Sequence, residues 1–251
     1  MEDLLNRLSS NGVQLRVDGE QLRVIAPKGA LTAPLREALA SSKQALLALL
    51  RDAARRPEPA SFAPRPEARH EPFALTDVQH AYWMGRNEWV ELGGFSTHCY
   101  FELERAGLDL DRLEGALRKV IARHDMLRAV IDSDGRQRIL AQVPPYTIEL
   151  HELQEAPDDL RDAELDALRS RLSHNRRPIG EWPLFEVAAA ALPGGRLRLC
   201  VSLDMLIIDA SSMFLFFQEW QRFYDDEAWA PAPLALSYRD YAAFEQTLHE
   251  Q

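Results

Sequence analysis

The stretch that most constrains this chain is Leu199-Cys200-Val201-Ser202-Leu203-Asp204-Met205-Leu206-Ile207-Ile208-Asp209-Ala210-Ser211-Ser212, which runs straight into Met213-Phe214-Leu215-Phe216-Phe217-Gln218-Glu219-Trp220. The first part is an apolar run with branched side chains and reads as a buried strand. The last part reads as a mostly buried helix. Two carboxylates interrupt the passage between them, and an Asp is almost never fully buried unless it is paired. Asp209 and Ser212 fall near the helix start, where side-chain oxygens accept orphan backbone N–H groups and meet the positive helix end. The plain reading of such a D-x4-D stretch is a capped strand-to-helix turn.

The pieces before it alternate between strand and helix. Thr76 caps a short helix to Gly85, Thr97 to Leu103 alternates like a strand, and Asp109 to His124 carries Leu110, Leu113, Leu117, Val120 and Ile121 at helical spacing. Leu127 to Ile131 and Gln137 to Gln142 read as strands around Asp134-Gly135, Ile148 to Leu150 as a short strand, and Leu160 to Leu172 as an amphipathic helix. Leu184 to Leu192 and Leu197 to Leu206 are adjacent strands joined by Pro193-Gly194-Gly195; helices Ser211 to Tyr224 and Tyr238 to Leu248 follow. The pattern suits an α/β sandwich.

Charge divides the chain. Residues 1 to 56 carry nine Lys and Arg against six Asp and Glu, net +3; the other 20 and 33 lie in residues 57 to 251, net −13. Between the halves, residues 54 to 72 hold five prolines and little apolar periodicity, the mark of an extended spacer. This gives three parts: residues 1–53, a Pro-rich linker at 54–72, and residues 73–251. The net charge of −10 opposes general nucleic-acid binding, which needs a basic surface. No 18-residue apolar stretch is present and the start Met1-Glu2-Asp3 is acidic, so a soluble, cytoplasmic protein without a membrane partner is expected. Cys99 and Cys200 read as reduced core thiols, and no metal-ligand spacing occurs.

The first part predicts an α-β-β-α-α unit. Leu4, Leu5 and Leu8 mark a short helix ending at Asn11-Gly12; Val13, Leu15 and Val17 alternate, Asp18-Gly19 turns, and Leu22 and Val24 alternate again. Helices at about Thr32 to Ala40 and Ser42 to Ala54 supply leucines to cover the hairpin's apolar face, leaving Arg16 and Arg23 on the other. This order resembles the tubulysin-type amino-terminal docking domains of peptide synthetases. The resemblance implies that the edge strand Gln21, Leu22, Arg23, Val24 and Ile25 accepts the carboxy-terminal tail of an upstream synthase subunit, with Arg16, Arg23 and Lys28 favouring acidic residues in it.

Three stretches of the second part also stand together: Phe73-Ala74-Leu75-Thr76-Asp77-Val78-Gln79-His80-Ala81-Tyr82-Trp83-Met84-Gly85-Arg86, Arg123-His124-Asp125-Met126-Leu127-Arg128, and D-x4-D-x2-S at Asp204, Asp209 and Ser212. Their order and spacing resemble the heterocyclization domains of nonribosomal peptide synthetases, with Ala74 a departure where the family usually has Pro. Ordinary condensation domains carry His-His-x3-Asp-Gly where this chain has Asp204 to Ala210. Docking followed by cyclization is similar to the start of epothilone-type synthetase subunits.

The resemblance implies an α+β chain with a docking domain, a linker and one chloramphenicol-acetyltransferase-like lobe of the condensation superfamily. The family's second lobe, with a Thr and an Asp implicated in cyclodehydration, lies outside residues 1–251, so no activity is expected of these residues alone. The parent enzyme is expected to join an upstream acyl thioester to carrier-bound Cys, Ser or Thr and to close a thiazoline or oxazoline. Donor and acceptor carrier proteins with phosphopantetheine arms are the implied partners, and no cofactor is bound directly. Asp204, Asp209 and Ser212 are the candidate catalytic residues. The preferred split pairs Asp209 with Arg123 as a loop anchor, brings Asp204 nearer the tunnel that the resemblance implies between the family's two lobes, and makes Ser212 a helix-start cap. Non-catalytic inter-subunit docking is the alternative function.

Overall fold

The computed structural model describes residues 13–18, 21–27, 32–48, 64–86, 94–174 and 177–249. The chain forms two compact units that divide between Ser61 and Phe62.

In the first unit, β1 (Gln14–Asp18) and β2 (Gln21–Ile25) form the expected antiparallel hairpin, with Leu15 opposite Val24 and Val17 opposite Leu22. Helix α1 (Ala33–Ser41) follows, with proline in its first turn where a missing N–H costs nothing, and residues 43–48 are helical. Val13, Leu35, Leu39 and Leu46 make the core, and Leu22, Val24 and Ala26 pack against it. Leu22 and Val24 therefore face inward. Lys28 and the helix expected before Gly12 lie outside the described residues.

The second unit is built on a four-stranded sheet of order β4-β9-β8-β7, from β4 (His98–Ala106), β7 (Glu149–Glu152), β8 (Phe185–Leu192) and β9 (Arg196–Asp204). Only β7 and β8 run parallel. Alternate residues of β8 and β9 serve two cores, because successive side chains of a strand point to opposite faces. Val187, Ala189, Leu199 and Val201 join the main core, whereas Ala188 and Cys200 meet Leu168 and Leu172 of helix α4 (Asp158–Ser173). Burial on both faces is why β9 is apolar on both sides at Leu199, Cys200 and Val201. On the main-core side lie helices α3 (Leu110–Arg123) and α5 (Ala210–Asp225), tied by Trp220, whose indole N–H donates to Leu113 O at 2.9 Å.

A second sheet, β3 (Phe73–Ala74), β6 (Arg136–Ile139) and β5 (Ala129–Ile131), flanks this body together with α2 (Asp77–Gly85) and α6 (Tyr238–His249). The turn at Asp134-Gly135 has φ +78° at Gly135, and a Cβ there would meet the Trp83 indole at 3.2 Å. The strand expected from Leu127 begins at Ala129, because Asp125–Arg128 forms a 3-10 turn held by the Asp125–Arg128 ion pair at 2.8 Å. Cys99 and Cys200 are free thiols. Among the described residues no helix is long and apolar enough to cross a membrane.

The expected linker is corrected at its C-terminal end. Residues 54–63 lie outside the described residues, but residues 64–72 pack on the second unit. Ala68 is buried in a 3-10 turn, Arg65 N donates to Asp240 Oδ1 at 3.1 Å, and Arg69 holds Asp125 at 2.7 and 2.8 Å. Proline there stiffens a packed strap, since the stretch supplies Arg69 and Glu71 as ion-pair partners for Asp125 and Arg239.

Candidate functional site

The loop from Met205 to Ile208 joins β9 to α5 and separates the two motif aspartates. Asp204 ends β9, opposite His98 of β4. Its side chain is buried and paired with Arg86, the last residue of the first motif stretch. Ser96 Oγ donates to Asp204 Oδ2 at 3.3 Å and Leu206 N donates to Oδ1 at 3.0 Å. Arg86 also donates to Arg177 O at 3.2 Å. Asp204 thus clamps the strand end, the loop and α2 together.

Asp209 is the N-cap of α5 and is exposed. It accepts the Ser212 backbone N–H at 2.7 Å. That amide, with the Ser212 hydroxyl, holds the Asp209 carboxyl below its ordinary range, so it stays ionised. Asp209 and Ser212 border a cavity of about 450 Å³, which Thr76, Tyr82, Tyr238 and Glu245 also line. Burial pushes the Tyr238 phenol up, and the Asp209 charge adds to the shift. Tyr238 therefore stays protonated in a cavity that Asp209 also lines.

Three expectations are corrected here. Asp204 does not line this cavity; it is the inner aspartate, and Asp209 is the outer one. Ser212 is not the cap: it sits three residues into the turn and donates its N–H to the cap. Arg123 does not pair with Asp209. Its Nε donates to Glu219 at 3.1 and 3.3 Å and its Nη1 to Ala232 O at 2.7 Å, while His124 Nε2 lies 2.7 Å from Glu219 Oε2. The reason is spacing along α5: Glu219 lies ten residues beyond Asp209, roughly 15 Å along a helix. The end of α3 meets α5 at that level.

Two positioning residues escaped sequence reading. Gln79 and Gln137 are buried and face each other as a reciprocal amide pair, Gln79 Nε2 to Gln137 Oε1 at 2.9 Å and Gln137 Nε2 to Gln79 Oε1 at 2.7 Å. The second proton of Gln79 goes to Leu206 O at 2.6 Å and that of Gln137 to Ala74 O at 3.0 Å. Gln79 also completes a capping box with Thr76 at the start of α2. The loop between the aspartates is thus held from below by a satisfied polar network. Gln79 lies in the stretch Phe73 to Arg86, whose motif marks it; Gln137 sits on a short strand with no such mark. Among the described residues no group of three or more His, Cys, Asp or Glu could hold a metal ion.

A condensation-domain family model matches residues 70–251, and a TubC N-terminal docking domain model matches residues 1–52. Pyochelin synthetase PchF of Pseudomonas aeruginosa is 33% identical over 245 residues, covering 97% of this chain and 13% of that protein. Phenyloxazoline synthase MbtB of Mycobacterium tuberculosis is 37% identical over 173 residues, 68% of this chain and 12% of that one. The EpoB cyclization-docking bidomain of Sorangium cellulosum superposes with a TM-score of 0.77 at 37% identity, covering 100% of this chain and 49% of that structure. The chain therefore spans a small part of these synthetases and about half of the bidomain.

Proposed function

The chain belongs to the condensation-domain family, with a TubC-type docking domain over residues 1–52, and from that premise we propose that it is the docking module and one lobe of a heterocyclization domain in a nonribosomal peptide synthetase. The observation that carries this reading is the loop from Asp204 to Ser212: Asp204, where ordinary condensation domains have their first histidine, is held by Arg86, and Asp209, at the position of their aspartate, borders a cavity. A phenyloxazoline synthase and a cyclization-docking bidomain among the relatives support the same branch.

The proposed reaction has two stages. The amine of carrier-bound Cys, Ser or Thr attacks an upstream acyl thioester; the C–S bond breaks, and the amine proton ends on the released thiol. The side-chain thiol or hydroxyl then adds to the new amide carbonyl, its proton passing to the carbonyl oxygen; that oxygen leaves as water with the amide N–H proton, and a C=N bond closes the thiazoline or oxazoline. Both stages need a group that orients the nucleophile and accepts a hydrogen bond from it. Asp209, held ionised, is assigned that role, with Ser212 and Tyr238 as polar neighbours. Asp204 is assigned a positioning role through Arg86. Carrier-protein phosphopantetheine arms deliver both substrates.

The test pairs residues 1–251 alone with the complete synthetase subunit, each given acyl-loaded and cysteinyl-loaded carrier proteins. Mass spectrometry is expected to find the dehydrated ring only with the complete subunit, because a reacting centre loses orientation when part of its wall is missing. An acyclic amide as the complete subunit's final product would refute heterocyclization. Ring formation by residues 1–251 alone would refute the need for a second lobe.

Docking is proposed as a second activity of the same chain. The hairpin is two-stranded among the described residues, so the β2 edge at Gln21–Ile25 offers main-chain groups for strand addition by an upstream subunit's tail. Arg16, Arg23 and Lys28 are assigned to acidic residues of that tail, which makes binding weaken with salt. Arg16→Glu with Arg23→Glu is expected to weaken tail binding about tenfold or more; unchanged affinity would rule the charge assignment out.

A further inference from the structure

A second cavity, of about 150 Å³, lies against the same loop. It shares Met126, Ile207, Ile208, Ser212 and Tyr238 with the cavity that Asp209 borders. The rest of its wall is mainly Leu127, Leu215, Phe216, Leu234 and Leu236. Besides the shared Ser212 and Tyr238, four polar residues line it and each is already partnered: Arg69 with Asp125 at 2.7 Å, His124 with Glu219 at 2.7 Å, and Ser237 Oγ with Asp240 at 2.8 Å. A charged ligand would displace those partners, whereas an apolar one gains by leaving water. Leu215, Leu234 and Leu236 are 43%, 42% and 41% exposed, so the apolar wall is open to an entering group. An apolar cavity of this volume lined by Leu, Ile and Phe accommodates benzene.

The geometry points to a binding site for the apolar end of the acyl group, of the size of a phenyl ring or a branched chain of about six carbons. The shared wall sets that end next to the cavity that Asp209 borders, so the site selects among acyl groups by size and apolarity. The assignment rests on the condensation reading for its acyl thioester, but the site is read from the cavity alone.

The experiment follows Ile and Leu methyl signals of the full chain by NMR during titration with S-benzoyl-N-acetylcysteamine and, separately, S-acetyl-N-acetylcysteamine. The benzoyl probe is expected to bind about tenfold more tightly and to shift the methyls of Ile207, Leu215, Leu234 and Leu236. Leu236→Trp, at a partly exposed position, fills the wall and is expected to weaken benzoyl binding about tenfold without moving the unfolding midpoint. Leu234→Trp serves if that variant misfolds. Equal binding of the two probes, shifts confined to other methyls, or unchanged affinity in a folded Trp variant would overturn the site. Benzoyl binding at this wall with no ring formed by the complete subunit would leave the site standing and remove the cyclization reading. Ring formation with a benzoyl probe that never touches the wall would do the reverse.

Discussion

Asp204 and Asp209 are the same residue type, five positions apart in one motif, yet they live in different media. Asp204 is 6% exposed and bound to Arg86, Ser96 and the Leu206 amide. Asp209 is exposed, caps a helix and borders a cavity. A carboxylate's role follows from what compensates its charge: a guanidinium makes an anchor, and a helix N-terminus beside open space leaves a group that can still meet a substrate. The spacing sets the two apart because the strand ends at the first and the helix begins at the second.

Breaking the inner pair is expected to have the largest effect. Arg86→Ala or Asp204→Ala leaves a buried group uncompensated and is expected to cost about 3–5 kcal/mol. Denaturant unfolding of both single variants and the double variant measures it, and additive losses would show that the two residues are not coupled. A cost equal to that of Asp209→Ala would erase the contrast between the two aspartates.

Arg123→Ala comes next. Glu219 keeps His124, so the expected loss is that of hydrogen bonds to a charged group, about 1.5–3 kcal/mol. Combined with Asp209→Ala, it is expected to be additive within about 0.5 kcal/mol, since the two residues share no partner. A larger coupling would restore the Arg123–Asp209 pair that the structure replaces.

Gln137→Leu removes one side of the amide pair and strands Ala74 O and the Gln79 amide. Each group left unsatisfied costs about 1–3 kcal/mol, lessened where water reaches it. Hydrogen exchange is expected to rise selectively at Leu206 and Ile207, whose amides bond to Asp204 Oδ1 and Asp204 O. Uniform exchange across β8 and β9 would mean that Gln137 supports the fold generally rather than the loop.

The legible parts of the chain were those written in local pattern. The hairpin, the Thr76 cap, α3 and the β8–β9 pair follow from periodicity and turn residues and lie within a few residues of expectation. Pairings across the fold were not legible. Arg123 had several carboxylates to choose from, and only the level at which α3 crosses α5 selects Glu219. Arg86 stood in one motif and Asp204 in another, but periodicity does not say that the end of α2 meets the end of β9. The strap at 64–72 read as a spacer because proline density reports stiffness and is silent about whether a stiff segment is docked.

The smallest expected effect tests the outer aspartate, and it separates a cap from a charge. Asp209→Ala removes an N-cap and is expected to cost about 1 kcal/mol. Because hydrogen bonds hold the Asp209 carboxyl below its ordinary range, the folded state binds that proton more weakly than the unfolded chain does. The ionised group's contribution is therefore complete above the unfolded value of about 3.9 and is lost as pH falls through the lower folded value. Unfolding at neutral pH and again below about pH 4 is expected to show the gap between wild type and Asp209→Ala shrinking. Asp209→Asn keeps an oxygen that can accept the Ser212 N–H and is expected to restore stability at neutral pH to within a few tenths of a kcal/mol, while slowing ring formation by the complete subunit. Wild-type turnover in a stable Asp209→Asn subunit would show that the cavity needs only a hydrogen-bond acceptor at this position, and the ionised carboxylate would lose its assigned role.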